Sequence, residues 1–500
     1  MEQFLQALLI VLSPEGLGTL VGGVVAGILV GAAPGLTSTI AIGLLIPFTF
    51  ALSKYAAFTL LLGIYCGSMY GGSIPAILMN LPGTPAAAVT ALDGYPMTRA
   101  GKPGYALTVS VVSSAMGGLF SASVLIFLSV PLSVVATAFA GPEYFALCLF
   151  AIAVVFAASS KSILKAIIAT GAGLLVATIG IDPIAPYPRF TFDVPVLMIG
   201  VPEVPATIGL FCVAEGFRLL FDPARGQAVS HAVRSSFRDV IPIIKSLWRT
   251  ILRSSVIGTI IGILPGTGAM MAAFISYGEA KRSSKNPEEF GTGCPEGIAA
   301  AQSADNAVTG GALIPMLTLG IPGDVNTLML LGAMLVHGLI PGPALFHEES
   351  TLVYVIFMTM VLANLIFLVI GMRFAPLVAK VTQADQRYIV PVILILAITG
   401  PAISAGHVYY FWISIAFGII GYVMEKGGYP VMAMAMAIVL GPIIEKSLRS
   451  ALMLPEDTLA IFFSRPISAV FIVLAIAVVI LGVYREIRAR RATAAAAAQA

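Results

Sequence analysis

GGSIPAILMNLPG (71–83) and GGALIPMLTLGIPG (310–323) are one phrase written twice. In each, a Gly-Gly pair and a proline lead through an apolar run into a Pro-Gly. Proline lacks an N–H and glycine loses the most freedom on ordering, so together they interrupt a helix. Each phrase therefore reads as an apolar crossing broken partway, near 57–95 and 297–340. A second pair of breaks stands upstream, Pro34-Gly35-Leu36-Thr37 and Pro265-Gly266-Thr267-Gly268. They interrupt apolar segments of about 17–52 and 254–278, which read as hairpins returning to their side of origin. The offset between partners stays near 231–246 residues through the spans that follow.

Composition says what solvent these segments meet. Of 500 residues, 58% are hydrophobic and 10% charged, against about 25% charged in a soluble domain. A soluble fold of this size could not cover its surface so sparingly, whereas a bilayer removes the need. The net charge of +3 is small and the basic residues sit in short loops. They read as topology signals and not as a nucleic-acid footprint. Cys66, Cys148, Cys212 and Cys294 are isolated, which suggests neither a disulfide frame nor a structural metal. The start MEQFLQALLI has no basic region of the signal-peptide kind. G-x-x-x-x-G-K-[ST], H-E-x-x-H and G-x-S-x-G are all absent, which argues against P-loop ATP hydrolysis and against an enzyme.

Further single crossings lie near 104–130, 143–160, 163–181, 204–221, 350–372, 388–404, 408–424, 430–444 and 466–484. Basic residues alternate with acidic or neutral loops between them. Arg99 and Lys102, then Lys161 and Lys165, mark the cytoplasmic side, as does the stretch Arg218–Arg253 with seven basic residues against two acidic. Lys281, Arg282, Lys285, Arg373, Lys380, Arg387, Lys426, Arg485, Arg488, Arg490 and Arg491 continue the series. Asp182, Asp193, Glu203, His347, Glu348, Glu349, Glu456 and Asp457 occupy the opposite loops, and Lys446 with Arg449 is the weak exception. The N-terminus is expected outside and the C-terminus in the cytoplasm.

Each half is then a hairpin plus about five crossings. Five is odd, so the halves lie in opposite orientations, as in the inverted repeats of secondary transporters. The expected division is 1–221 for the first repeat, 222–253 for a basic cytoplasmic linker or amphipathic helix, and 254–446 for the second repeat. A C-terminal crossing at 447–484 and a basic, disordered tail at 485–500 complete it. Gly and Pro also serve packing in membrane helices. Four breaks paired at a near-constant offset, in agreement with the charges, carry more than that.

A broken helix at membrane depth leaves backbone groups that only protein, water or ligand can satisfy. Half-helix N-termini offer N–H groups to anions, and unwound carbonyls suit sodium. The substrate-binding residues expected at the breaks are Gly35, Thr37, Ser38, Thr39, Asn80, Gly83 and Thr84 in the first half. In the second they are Gly266, Thr267, Gly268, Gly323, Asn326 and Thr327. Any one of these hydroxyls could instead back-bond to a helix carbonyl. Asp305, Asn306 and Asp324 are the ion-coupling candidates, since a carboxylate within a membrane segment costs about 2.5–3.5 kcal/mol on insertion scales. Asp324 could equally cap the half-helix after its break, and Asp305 could lie at the cytoplasmic end of its span. His337 reads as a loop anchor. Without clustered Arg or Lys, such a site would meet anionic charge with helix dipoles and sodium.

These motifs resemble the large membrane subunit of the tripartite tricarboxylate transporter family. The resemblance is carried by PGLTSTIAIGLLIPFTF (34–50), YGGSIPAILMNLPGTPAAAVTALDGYPM (70–97), GILPGTGAMMAAFISY (262–277), LIPMLTLGIPGD (313–324) and LLGAMLVHGLIPGPALF (330–346), and spans about 10–484. It implies an all-α polytopic protein of the bacterial inner membrane, moving in the elevator manner. It also implies a binding-protein-dependent secondary importer of organic carboxylates, di- or tricarboxylate-like, driven by sodium or protons. The partners implied are a periplasmic substrate-binding protein, a small membrane subunit, the organic anion and the lipid bilayer, and a homodimer is compatible. No cofactor is implied beyond sodium or a proton as coupling ion, and no metal beyond a transported sodium. One departure stands out: Ala304-Asp305-Asn306-Ala307 replaces the expected Ala-Asn-Asn-Ala, which puts a simple transfer of role to Asp305 in doubt. The competing reading is a stand-alone sodium/proton antiporter with Asp305 and Asp324 as the exchanging carboxylates.

Overall fold

A computed structural model describes residues 2–33, 35–158, 162–182, 184–221, 236–381, 386–453 and 459–499. Pro34, Lys161, Glu456, Asp457 and the 222–235 part of the expected linker lie outside the described residues, as do the side chains of Lys380, Arg387, Arg485, Arg490 and Arg491.

The chain is helical almost throughout. Helix α1 (Glu2–Leu12) leads into α2 (Pro14–Ala32), whose start is capped by the Ser13 hydroxyl and has proline in its first turn. Then come α3 (Ser38–Thr49), α4 (Lys54–Met79), α5 (Ala87–Arg99), α6 (Pro103–Ala136), α7 (Gly141–Ala158) and α8 (Ile163–Ala177). A short antiparallel ribbon, β1 (Gly180–Ile181) with β2 (Pro188–Arg189), precedes α9 (Glu203–Ile208) and α10 (Ala214–Phe221), which are joined by a π-turn at Gly209–Val213. The second half runs α11 (Val240–Ile263), α12 (Gly268–Ser283), α13 (Pro295–Leu319), α14 (Val325–Val336), α15 (Pro343–Glu348) and α16 (Ser350–Val381). Helices α17 (Gln386–Ala405), α18 (Tyr409–Lys426), α19 (Val431–Leu452), α20 (Ile461–Ser464) and α21 (Pro466–Gln499) complete it. Among the described residues, nine helices are long and apolar enough to cross a membrane.

All four expected breaks interrupt helices. The first separates α2 from α3, and the Ser53 hydroxyl donates to Glu15 Oε1 at 3.0 Å, so the chain after α3 returns beside the start of α2. The break at 264–267 does the same for α11 and α12: Arg253 meets Ser283, and both Thr250 and Ser284 donate to Glu296 at 2.7 and 2.8 Å. Helix α4 ends at Asn80 and α13 at Gly320, each in left-handed backbone (φ 56° and 73°) whose N–H returns to Pro75 or Pro315 and its neighbour.

Two elements depart from expectation. Helix α11 begins at Val240 rather than near 254, because Val240, Ile243, Ile244 and Leu247 give the basic stretch an apolar face that continues into the hairpin. Helix α21 continues to Gln499 instead of ending at 484, in keeping with the high helix propensity of its alanine-rich end.

The first arm of each hairpin packs on the broken helix that follows it. Helix α2 lies along α4, and α11 along α13. Glycine permits both seams: a Cβ on Gly27 would sit 2.5 Å from the Ile64 carbonyl oxygen, and one on Gly258 2.3 Å from that of Ala304. Helix α3 then packs on α14 and α12 on α5, each hairpin arm meeting the half-helix of the other half. The Thr39 hydroxyl donates to Asn326 Oδ1 at 2.9 Å in the first pair, and Tyr277 to Asp93 Oδ2 at 2.8 Å in the second. Helices α6 and α16 complete this inner set, while α7–α10 and α17–α21 pack mainly on one another around it.

Loop charges gather at two ends. Lys54 pairs with Glu349 at 2.6 Å at the mouth of the first hairpin. Asp93 accepts from the amides of Gly291, Gly293 and Cys294 at 2.8, 3.0 and 2.8 Å at the mouth of the second. Arg449 is answered locally: it contacts Asp182 at 2.6 Å and Glu445 at 3.2 Å, while Arg189 pairs with Glu445 at 2.6 Å. The amides of Ala185 and Ile184, then the Arg449 guanidinium, hold the Asp182 carboxyl well below the usual range.

Candidate functional site

The four half-helices that follow a break are α3, α5, α12 and α14, and all four begin on one cavity of about 480 Å³. Its wall takes Thr37, Ser38 and Thr39 at the head of α3, Thr84, Pro85 and Ala86 just before α5, Gly266 to Met270 at the head of α12, and Asp324, Val325 and Asn326 at the head of α14. Four positive dipole ends thus face one volume, of a size that suits a small organic molecule. Among the described residues, no Lys, Arg or His lines it.

The four starts are not equivalent. Helix α3 is capped by the Thr37 hydroxyl, which accepts from Ile40 N–H at 3.4 Å. Helix α14 is capped by a box: Asp324 Oδ1 accepts from Thr327 N–H at 2.8 Å, and Thr327 Oγ1 accepts from Asp324 N–H at 2.9 Å. At α5 the Thr84 hydroxyl accepts from Ala87 N–H at 3.4 Å, while the N-cap residue Ala86 offers no side-chain acceptor, and α12 carries no side-chain cap. The opening amides of α5 are partly used in turns to Thr84, Pro85 and Ala86. The head of α12 presents its opening amides on a Gly266–Gly268 tip where both glycines have positive φ (76° and 68°).

Of the expected substrate residues, Thr37, Ser38, Thr39, Thr84, Gly266, Thr267, Gly268 and Asn326 line the cavity. Gly35, Asn80, Gly83, Gly323 and Thr327 do not, and shape the breaks instead. Gly35 turns the first tip with φ 82°, Asn80 ends α4, and Thr327 completes the cap. Gly83 N–H donates to Gly72 O at 3.1 Å, and a Cβ there would lie 2.3 Å from Gly31 O. Gly323 O accepts from Gly266 N–H at 2.8 Å, tying a hairpin tip to a broken helix of its own half. Thr267 lines the wall, but its hydroxyl is turned back to Ile261 O and Leu264 O at 2.7 and 2.9 Å.

The three ion-coupling candidates part company. Asp324 is spent on architecture: besides its cap, Oδ2 accepts from Tyr65 at 2.8 Å and from Asn326 Nδ2 at 3.2 Å. Asn306 faces away, donating from Nδ2 to Ser114 O at 2.8 Å and to Asn364 Oδ1 at 2.7 Å between α6 and α16. Asp305 lines the cavity, is 0% exposed, and neither of its oxygens has a hydrogen-bond partner among the described residues. His337 ends α14 and contacts the Thr49 hydroxyl at 3.0 Å at the foot of α3, an anchoring position.

Sequence reading missed the far wall, formed by Leu210, Phe211, Ala214 and Glu215 around the π-turn and by Glu425, Tyr429, Val431 and Met432. The rim carboxylates Glu215 and Glu425 both contact Arg218, through its Nε at 2.7 and 3.9 Å. The π-turn is the one local irregularity that could have flagged this wall, and it leaves no Pro-Gly signature. Among the described residues no group of three or more His, Cys, Asp or Glu is placed to hold a metal.

Residues 17–436 match the model of the family described as "Tripartite tricarboxylate transporter TctA family". An Agrobacterium vitis protein described as an uncharacterized 52.8 kDa protein in the TAR-I ttuC' 3' region is 34% identical over 469 residues, covering 94% of this chain and 93% of the relative. A second A. vitis protein, from the TAR-II ttuC' 3' region, is 34% identical over 234 residues, covering 47% of this chain and 97% of its own length. No solved structure matches. With a family model covering most of its length and a relative alike from end to end, this multi-pass helical chain belongs to the tripartite tricarboxylate transporter TctA family.

Proposed function

We propose that the chain is the permease subunit of a binding-protein-dependent secondary importer of organic carboxylates, driven by a sodium or proton gradient. Its family is one of transporters, not of enzymes, and supplies the large membrane subunit of a three-part system. In this reading a periplasmic protein delivers a di- or tricarboxylate-like anion, a small membrane subunit completes the complex, and the N-terminus faces the periplasm of a bacterial inner membrane. The observation that carries it is the convergence of four half-helix N-termini on one cavity, with hydroxyls around them. A substrate carboxylate would sit at the head of α12, beside Gly268 to Met270, with Ser38, Thr39, Thr84 and Asn326 as its other polar neighbours. Helix dipoles would then meet the anion's charge where no fixed cation does.

The mutual packing of α2·α4 with α3·α14, and of α11·α13 with α12·α5, supports reading the halves as an inverted repeat. The inner set that bears the breaks would move against the outer helices. The competing reading, a sodium/proton antiporter, needs room for an ion only, and a cavity of about 480 Å³ favours an organic solute.

Reconstitution decides between them. Proteoliposomes holding the permease and its small subunit, supplied with the cognate binding protein, should accumulate a labelled organic acid under an inward ion gradient without ATP. Sodium or proton exchange with no organic solute moving would establish the antiporter instead.

A further inference from the structure

We propose that Asp305 carries the coupling proton, alone among the acids of the cavity; this rests on the carboxylate-import reading. Its carboxylate lines the cavity, is 0% exposed, and both oxygens are without a hydrogen-bond partner among the described residues. A buried ionised carboxylate with no partner is among the costliest groups a protein can hold. A proton removes that cost without any further ligand. Sodium would need several further oxygens around it, whereas a proton needs the carboxylate alone, and neither Asp305 oxygen accepts a hydrogen bond among the described residues.

The walls around this turn of α13 explain the isolation. They are glycine faces: Gly117 of α6 lies against the Ser303 backbone and Gly258 of α11 against that of Ala304. The nearest facing acid is Asp324 at the head of α14, whose oxygens are engaged by Thr327, Tyr65 and Asn326. From α4 the titratable groups here are Tyr65 and Cys66, both fully buried. Asp93 of α5 and Tyr277 of α12 meet α13 at Gly297, about 12 Å back along the helix. The one titratable residue of α6 is Tyr105, three turns before Gly117. Arg253 of α11 bonds Ser283 at the hairpin mouth, and the titratable residues of α15, His347 and Glu348, follow Gly342, which packs at the far end of α13 through Leu317. Among the described residues, then, no cation faces Asp305.

Coupling follows from charge alone. An ionised Asp305 opposes the entry of an anion into the shared cavity, and a neutral one does not. Proton and anion therefore bind with mutual help, which is what symport requires. The anion's departure frees the proton on the other side, and the empty carrier returns with Asp305 ionised, to be protonated again where the next anion binds; a return with Asp305 neutral would carry the proton back and uncouple transport.

Infrared difference spectra of the purified protein, titrated with protons alone, test the assignment without any substrate. A protonated-carboxyl band at neutral pH that vanishes in Asp305→Asn and persists in Asp324→Asn is the expected result. No such band in the wild type, or one unchanged in Asp305→Asn, overturns it. The second arm uses the reconstituted complex with labelled citrate, malate and succinate. Asp305→Asn should lose pH-gradient-driven accumulation by about ten-fold or more. Accumulation equal to wild type, or wild-type uptake that follows sodium and ignores pH, overturns the proton role and leaves carboxylate import standing. If the wild type moves none of the acids its binding protein holds, the import reading fails, and the infrared band alone decides whether Asp305 holds a proton.

Discussion

Two aspartates of equal promise in the sequence turn out to be opposites, and what separates them is the number of donors each meets. Asp324 opens Asp-Val-Asn-Thr after a Pro-Gly, so its capping role was legible from spacing alone. Replacing it with alanine removes a cap worth about 1 kcal/mol and strands the buried Tyr65 hydroxyl at a further cost of about 1–3 kcal/mol. Asp324→Ala should therefore lower the thermal midpoint of the detergent-purified protein by several degrees, with Asp324→Asn intermediate because its amide oxygen still accepts from Thr327. An unchanged midpoint for the alanine variant would remove the cap from the account. The isolation of Asp305 was not legible, since it depends on what α6 and α11 withhold, and a glycine face on another helix leaves no mark beside the acid in the sequence. Tyr65 was missed for a related reason: nothing in an apolar run tells which tyrosine finds a carboxylate.

At the scale of elements the breaks were the most legible feature, because Pro-Gly acts locally through backbone chemistry. What they do for packing was less so. Gly83 and Gly323 were expected at the ligand, yet each is a point where two backbones touch: a Cβ on Gly323 would lie 2.4 Å from Gly262 O. Even Gly83→Ala or Gly323→Ala should thus impair uptake, and the leucine variants should abolish it while the chain still inserts. Uptake at the wild-type rate in both leucine variants would show that the broken helices do not build the site. The hairpins make a second demand. Ser53 and Ser283 are both exposed and each stands at the mouth of its hairpin. If the halves are inverted, cysteine at 53 should react with an impermeant thiol reagent from the periplasmic side and cysteine at 283 from the cytoplasmic side. Labelling of both from one side defeats the inversion. The ribbon at 180–189 is a smaller element with its own pH dependence. Its Asp182 carboxyl titrates below the ordinary range when folded, so its contribution is complete above about pH 4 and fades as pH falls further. Asp182→Asn should raise amide exchange across this ribbon at neutral pH, and wild type should approach the variant only in strong acid; equal exchange at every pH would mean that the ion pairs do not hold it.

For the whole molecule the question is which helices move. The sequence divided the chain into halves, whereas packing divides it into an inner set drawn from both halves and an outer set drawn from both. That second division depends on contacts between distant segments, so a linear reading could not reach it. The cavity lies between the two sets, with the half-helix starts on one wall and the π-turn and the 425–432 stretch on the other. Substrate held there can change sides only if one wall slides past the other, or if both stay and gates open at the hairpin mouths. The seam between α3 and the π-turn distinguishes these. A Cβ built on Gly43 of α3 lies 2.5 Å from Cys212 Sγ, so a thiol introduced there needs only a small adjustment to reach its neighbour. The other cysteines, Cys66, Cys148 and Cys294, are buried elsewhere and offer little competition. Under sliding, oxidising Gly43→Cys should stop uptake and reduction should restore it, because the inner set is then pinned to the outer. Under gating at the mouths the same disulfide would form and transport would continue, since neither mouth is near it.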